Sequence, residues 1–223
     1  TDPVRPAPWL RHVHETEYHL HLLRGVVETD GIERQLIVTA DPEAAKQLDS
    51  LLEKEMRETE RGTLLAVGAG AAYGTAKRWL PERFAACARA LRERHGLIPV
   101  LVGSVAEAEP ARAIAQQIGP PVLDLAGRID LAQLVALLGR VRLFLTNDSG
   151  PMHLAAAQGT PTLAVFGSTN WRTTAPLGPR ARVVREPVEC APCLRRHCPI
   201  DHRCMERVTV QRVLEEAEKM LTG

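Results

Sequence analysis

Five short apolar runs, at residues 64–67, 97–102, 122–125, 141–145 and 161–166, recur along the chain with glycine-rich or polar breaks after them. Apolar runs this short, without polar alternation, fit strands buried on both faces. The stretches between them carry a helical period instead. Pro81 opens one in which Phe84, Cys87, Ala88 and Leu91 fall at i, i+3, i+4 and i+7, and Gly96 closes it, which makes Cys87 a core residue. Glu107 and Glu109 begin the next, where carboxylates complement the helix dipole. Asp130 and Gln133 form a capping box for a helix with Leu131, Leu134, Val135 and Leu138 on one face, stopped by Gly139. Thr209 caps a final helix that turns Val210, Val213, Leu214, Ala217 and Leu221 inward. Strands alternating with helices predict an α/β fold with a doubly wound, Rossmann-like parallel sheet, whose ligands bind at the carboxyl ends of the strands.

Upstream of residue 60 the pattern loosens. Residues 1–10 hold three prolines and Trp9 and read as an extended linker. Residues 10–23 favour a helix containing His12, His14, His19 and His21. No two of these are four apart, so a solvated or interface-facing helix is favoured over a chelating one. Residues 34–40 read as a short strand, and 42–59 as a charged helix with Ala45, Leu48, Leu52 and Met56 on one side. The chain therefore divides into a linker and helical extension, 1–60, and a Rossmann-like domain, 61–223.

Chemistry gathers where the apolar runs end. The fourth breaks into Asn147-Asp148-Ser149-Gly150-Pro151, followed by an Ala-rich helical segment. Pro151 suits the first helical position and Ser149 or Gly150 the cap before it, so the unpaired amides of that turn form an anion site. Asp148 and His153 reach the same place, Asp148 as an acceptor or as a cap. The first run leads into a glycine-rich loop, 68–79, where Lys77 supplies a positive charge beside backbone that a ligand can approach closely. That loop is neither a Walker sequence nor a G-x-G-x-x-G, and a plain connecting loop is the alternative. Gly103-Ser104 and Gly167-Ser168-Thr169 end two further runs, and Glu107 is placed either to accept from ribose hydroxyls or only to serve the helix dipole.

Composition narrows the classes. A net charge of +1 and an aromatic content of 4% give no basis for nucleic-acid binding. No apolar run approaches the roughly 20 residues of a membrane span, and no signal peptide is visible, so a soluble, cytoplasmic chain is expected. Thr1 in place of Met points to sequence removed upstream. The tail carries Cys190-x2-Cys193-x4-Cys198-x5-Cys204 with His197 and His202 between. Such spacing leaves three readings open: a structural zinc site on Cys190, Cys193, Cys198 and Cys204, free or partly oxidised thiols, and a redox role.

Taken in order, Gly70-Ala71-Ala72-Tyr73-Gly74-x-Ala76-Lys77-Arg78-Trp79, Asn147-Asp148-Ser149-Gly150-x-Met152-His153-x-Ala155-Ala156-Ala157 and Gly167-Ser168-Thr169 resemble the bacterial heptosyltransferases of glycosyltransferase family 9. The resemblance runs from about residue 60 to the C-terminus. It implies the GT-B architecture and, within it, the C-terminal domain that binds the nucleotide sugar, with the acceptor domain and its catalytic base missing from this chain. By the same resemblance, Lys77 and Asp148 would be catalytic, and Gly70, Thr75, Ala76, Lys77, Glu107, Asn147, Asp148, Ser149, Gly150 and His153 would hold the donor. Lys77 would neutralise the diphosphate, and Glu107 would accept from the ribose. The implied reaction is inverting transfer of heptose from ADP-heptose to a lipopolysaccharide inner-core heptose, with no cofactor for catalysis and a protein peripheral to the inner membrane. Ala69 and Thr75 stand where the family often has proline, and Pro151 where it has an aliphatic residue. The alternative is a stand-alone nucleotide-binding or metal-stabilised scaffold module without transferase activity.

Overall fold

The structure, a computed structural model, describes residues 12–24, 26–56 and 62–222. The expected linker lies outside them. Helices α1 (Glu15–Leu23) and α2 (Pro42–Glu55) precede an alternating body: β1 (Leu64–Gly68), α3 (Pro81–His95), β2 (Ile98–Leu101), α4 (Ala108–Ile118), β3 (Leu123–Asp124), α5 (Leu131–Leu138), β4 (Leu143–Asn147), α6 (Gly150–Ala157), β5 (Thr162–Val165), α7 (Trp171–Thr174), β6 (Ala181–Val184), α8 (Arg203–Glu206) and α9 (Val210–Thr222). All six strands join one parallel sheet in the order β3-β2-β1-β4-β5-β6. The winding reverses between β1 and β4, where Leu65 lies opposite Leu143 and Gly68 opposite Thr146. In doubly wound sheets that reversal opens a crevice at the strands' carboxyl ends.

Continuous apolar strands bury both faces. Leu65, Val67, Leu143, Leu145, Leu163 and Val165 pack on the side of α3, α4 and α9, while Leu64, Ala66, Val100 and Phe144 pack on the side of α2 and α5. The expected helix ends are built as read: Gly96 terminates α3 in the left-handed conformation, Asp130 and Gln133 bond reciprocally before α5, and the Thr209 hydroxyl accepts the Arg212 N–H at 3.2 Å.

Three expectations change. Residues 33–41 form no strand: Leu36 and Ile37 are exposed, and the Val38 N–H reaches only the Ala157 carbonyl at the end of a helix, where there is no neighbouring strand to pair with. The edge strand β6 was not anticipated, because Ala181–Val184 interrupts its apolar run with Arg182 and is largely half-buried. Helix α2 belongs to the body and not to an extension, since Leu48 is wholly buried against α5 and Arg140 and Arg128 pair with Asp49 and Glu55. The packing therefore crosses the boundary drawn at residue 60. Helix α1 fully buries none of its residues, most of them being half-buried, and is tied to the body by His14. The His14 Nδ1 caps α1 by accepting the Thr16 N–H, which leaves the Nε2–H to donate to the Ala175 carbonyl at 2.9 Å.

Candidate functional site

At the reversal the loops after β1, β2 and β4 enclose a cleft of about 530 Å³. Its walls hold Gly70, Lys77, Glu107, Asp148, Ser149 and Gly150 of the residues anticipated from sequence. Thr75, Ala76, Asn147 and His153 do not line it. Asn147 is fully buried, with its side-chain oxygen accepting the Trp79 N–H at 2.8 Å and its amide donating to the Ala69 carbonyl at 2.7 Å. It stitches both ends of the glycine-rich loop to β4 and lies behind the cleft wall. Ala76 is buried, and the Thr75 hydroxyl is 3.0 Å from His197 Nδ1, so both support the loop from behind.

Lys77 closes a short 3-10 turn, Thr75–Lys77, and its ammonium lies 2.8 Å from Asp148 Oδ2. The same oxygen accepts the Thr169 hydroxyl at 2.6 Å, so the end of β5 also reaches the site. Asp148 is only 4% exposed. Its carboxylate is thus ion-paired and hydrogen-bonded within the protein. The Lys77 ammonium also lies 5.2 Å from the centroid of the Tyr73 ring. At the start of α6, Ser149 makes no side-chain cap and its hydroxyl turns back to Thr146 at 3.2 Å, leaving the amide end of the helix directed at the cleft.

Glu107 stands on the β2 side. Its Oε2 accepts both the Ser104 N–H and hydroxyl at 2.8 Å, and the carboxylate spreads over Gly70, where an added Cβ would come within 1.9 Å of Oε1. Glycine at position 70 is what admits it. Beyond Glu107 the wall is apolar, formed by Val102, Ile129, Leu131 and Leu134. Leu131 shares a helix face with the buried Val135 and Leu138. It is 65% exposed at the first turn of α5, an apolar side chain the core does not use. Sequence reasoning missed this wall, and the one signal for it was an unneeded leucine directly after a capping residue.

His153 sits one turn into α6, with burial lowering its pKa from the ordinary 6.5 against the opposing pull of Asp148. A base whose folded pKa is depressed contributes stability that is fully present above its unfolded pKa and is lost as pH falls through 6.5 toward the folded value. The melting temperature is therefore expected to decline below about pH 6.5, and less steeply in His153→Gln, as thermal melts across pH 5–7.5 would register. Equal slopes would remove His153 from the account.

The tail cysteines converge without forming a cage. Cys190 is exposed, Cys193 and Cys198 are half-buried, and Cys204 is buried, with burial first and then the other three thiols pushing its pKa up to about 11. Among the described residues, no group of three or more His, Cys, Asp or Glu side chains is disposed to hold a metal ion. Cys204 lies beneath Gly167, where an added Cβ would stand 2.9 Å from its Sγ. Cys87 is buried in the core, where desolvation raises its thiol to about 12.

Sheet order, crevice and a cation beside a helix N-terminus together define a Rossmann-type α/β domain with a cleft at its switch point. More particularly, the chain belongs to glycosyltransferase family 9 (heptosyltransferase), whose sequence profile matches residues 6–203. It is 33% identical over 163 residues to lipooligosaccharide heptosyltransferase 2 of Campylobacter jejuni, covering 71% of this chain and 51% of that protein. It is 34% identical over 158 residues to lipopolysaccharide heptosyltransferase 2 of Escherichia coli, covering 68% and 45%. Among solved structures, ADP-heptose lps heptosyltransferase II of E. coli superposes with a TM-score of 0.70 at 29% identity, over 88% of this chain and 56% of that one. A family 9 glycosyltransferase of Veillonella parvula gives a TM-score of 0.81 at 25% identity, over 94% and 60%. The chain spans about half the length of the curated relatives it matches.

Proposed function

We propose that this chain is the donor-binding, C-terminal half of a heptosyltransferase of lipopolysaccharide inner-core synthesis. The observation that carries the reading is the Lys77–Asp148 pair set beside the open N-terminus of α6 in the wall of the cleft. In this reading the diphosphate of ADP-heptose lies between Lys77 and the α6 amides, the ribose hydroxyls donate to Glu107, and the adenine lies on Val102, Ile129 and Leu131. Attack by an acceptor hydroxyl on the anomeric carbon breaks the bond to the β-phosphate oxygen. The electron pair then passes to the diphosphate, where Lys77 and the helix dipole stabilise the growing charge. Asp148 orients Lys77. The base that takes the acceptor proton belongs to the acceptor-binding half, so this chain binds donor without transferring it. Among the described residues no helix is long and apolar enough to cross a membrane.

Calorimetric titration with ADP, UDP and GDP tests the assignment. The expected result is saturable binding of ADP in preference to the other two, with no heptose transfer by the isolated chain. Equal affinity for all three would remove the adenine assignment, and absence of binding by a folded sample would remove the donor site itself.

A further inference from the structure

We infer that the cysteine-bearing segment, residues 190–204, is a clamp that positions the donor loop, with Arg196 and His202 as positioning residues for Lys77; the inference rests on the cleft being the diphosphate site. Four consecutive residues before Lys77 are each gripped from this one segment. The Tyr73 hydroxyl donates to the Leu194 carbonyl at 3.1 Å, and Thr75 meets His197. Gly74 packs so closely on the Arg196 carbonyl that an added Cβ would stand 2.2 Å from its oxygen. Ala76 is held through both of its main-chain groups, its N–H donating to the Arg196 carbonyl at 2.9 Å and its own carbonyl facing His202 Nε2 at 3.2 Å, with the ring donating.

The other side of the segment is anchored on the β5 end. The N–H groups of Cys193 and Leu194 both donate to the Ser168 carbonyl, at 3.0 and 2.8 Å, one residue before the threonine that bonds Asp148. One segment thus braces both members of the Lys77–Asp148 pair. A three-residue 3-10 turn has too few bonds of its own to fix where Lys77 points.

Backbone conformation marks the same residues. Leu194 and His202, each with φ of 55°, are the non-glycine residues of the described chain in the left-handed region, which L side chains seldom adopt. Both make contacts to the donor-side loops. Cys198 holds His202 in that pose by accepting its N–H on sulfur at 3.3 Å. The Arg196 guanidinium adds a second cation 5.1 Å from the Tyr73 ring centroid, besides Lys77.

The test combines amide hydrogen exchange without ligand and ADP titration, on the full 223-residue chain and on His202→Ala, His202→Gln and Arg196→Ala. Glutamine keeps an N–H donor where Nε2 stands. The expected result is that His202→Ala accelerates exchange at residues 75–77 and weakens ADP binding about tenfold, the worth of one lost hydrogen bond. The sheet stays protected, and His202→Gln restores both readouts. Unchanged exchange at 75–77 in both alanine variants would overturn the clamp whatever ADP does. Acceleration spread evenly through the sheet would also overturn it, because the segment would then be only part of the global fold. If the exchange result is as expected but the parent chain binds no ADP, the donor-site reading falls and the mechanical coupling stands, so the two failures are distinguishable.

Discussion

Lys77→Ala is expected to weaken ADP binding by about tenfold to a hundredfold, which is what a charge-assisted contact of roughly 1.5–3 kcal/mol supplies. Two effects act in the same direction. The attractive charge goes, and Asp148, 4% exposed, is left as an unbalanced anion under the phosphates. The same imbalance acts on the fold. Breaking a fully buried ion pair from one side costs about 3–5 kcal/mol, and the Lys77 side chain is 17% exposed, so the lower end or somewhat less applies. Asp148→Asn removes the anion while keeping an acceptor for Thr169 and Lys77, and its ADP affinity should hold or rise. The double variant then decides the assignment. Stability should return toward the parent value because no unpaired charge remains, while affinity stays at the Lys77→Ala level because the phosphate has lost its cation. Calorimetry and thermal melts on the four proteins read both quantities. Parent-like affinity in Lys77→Ala would take Lys77 out of the site.

The sheet was legible because its strands are buried on both faces. Leu65, Val67, Phe144 and Leu163 must be apolar whichever side they face, so runs stand out without alternation, and Pro81, Gly96 and Asp130 punctuate the helices between them. Where burial is partial the signal fails. Leu36, Ile37 and Val38 look like a strand yet join no strand, whereas Ala181–Val184 is a strand with an arginine inside it. Hydrophobic patterning reports what a segment can bury and is silent on whether another segment comes alongside.

Within the site, residues that use a charge or a helix end were readable, since Lys77, Asp148 and the α6 turn owe their place to local chemistry beside a strand end. Residues that act through long-range geometry were not. Asn147 lies in the same polar turn as Asp148, but its amide is spent on Trp79 and Ala69 of the opposing loop, nearly seventy positions away or more in sequence. Cysteine spacing drew attention to residues 190–204 for metal, whereas the contacts that segment makes to the donor loop run through main-chain carbonyls, Tyr73 and histidines. No residue-type pattern encodes a main-chain acceptor.

Gly74→Ala should be the most damaging single-methyl addition in the donor loop. The Cβ would meet the Arg196 carbonyl oxygen at 2.2 Å and its carbon at 2.8 Å. These are backbone atoms, which no rotamer change can move, so the loop and the clamp must separate. Overpacking of this kind costs about 1–3 kcal/mol, and in a domain of this size about 2–4 °C of melting temperature accompanies each kcal/mol. A fall of roughly 3–10 °C is therefore expected, together with weaker ADP binding because Lys77 loses its support. Gly150→Ala provides the contrast. An added Cβ there meets nothing within 4 Å, and the position starts a helix where alanine is favoured over glycine. Its melting temperature should hold or rise, yet ADP binding should weaken, because the methyl occupies space beside the amides that face the phosphate. Loss of stability with affinity at position 74, against loss of affinity alone at 150, would separate the support of the site from its surface. Parent-like behaviour of Gly74→Ala in both measurements would mean that the donor loop and residues 190–204 do not need to touch.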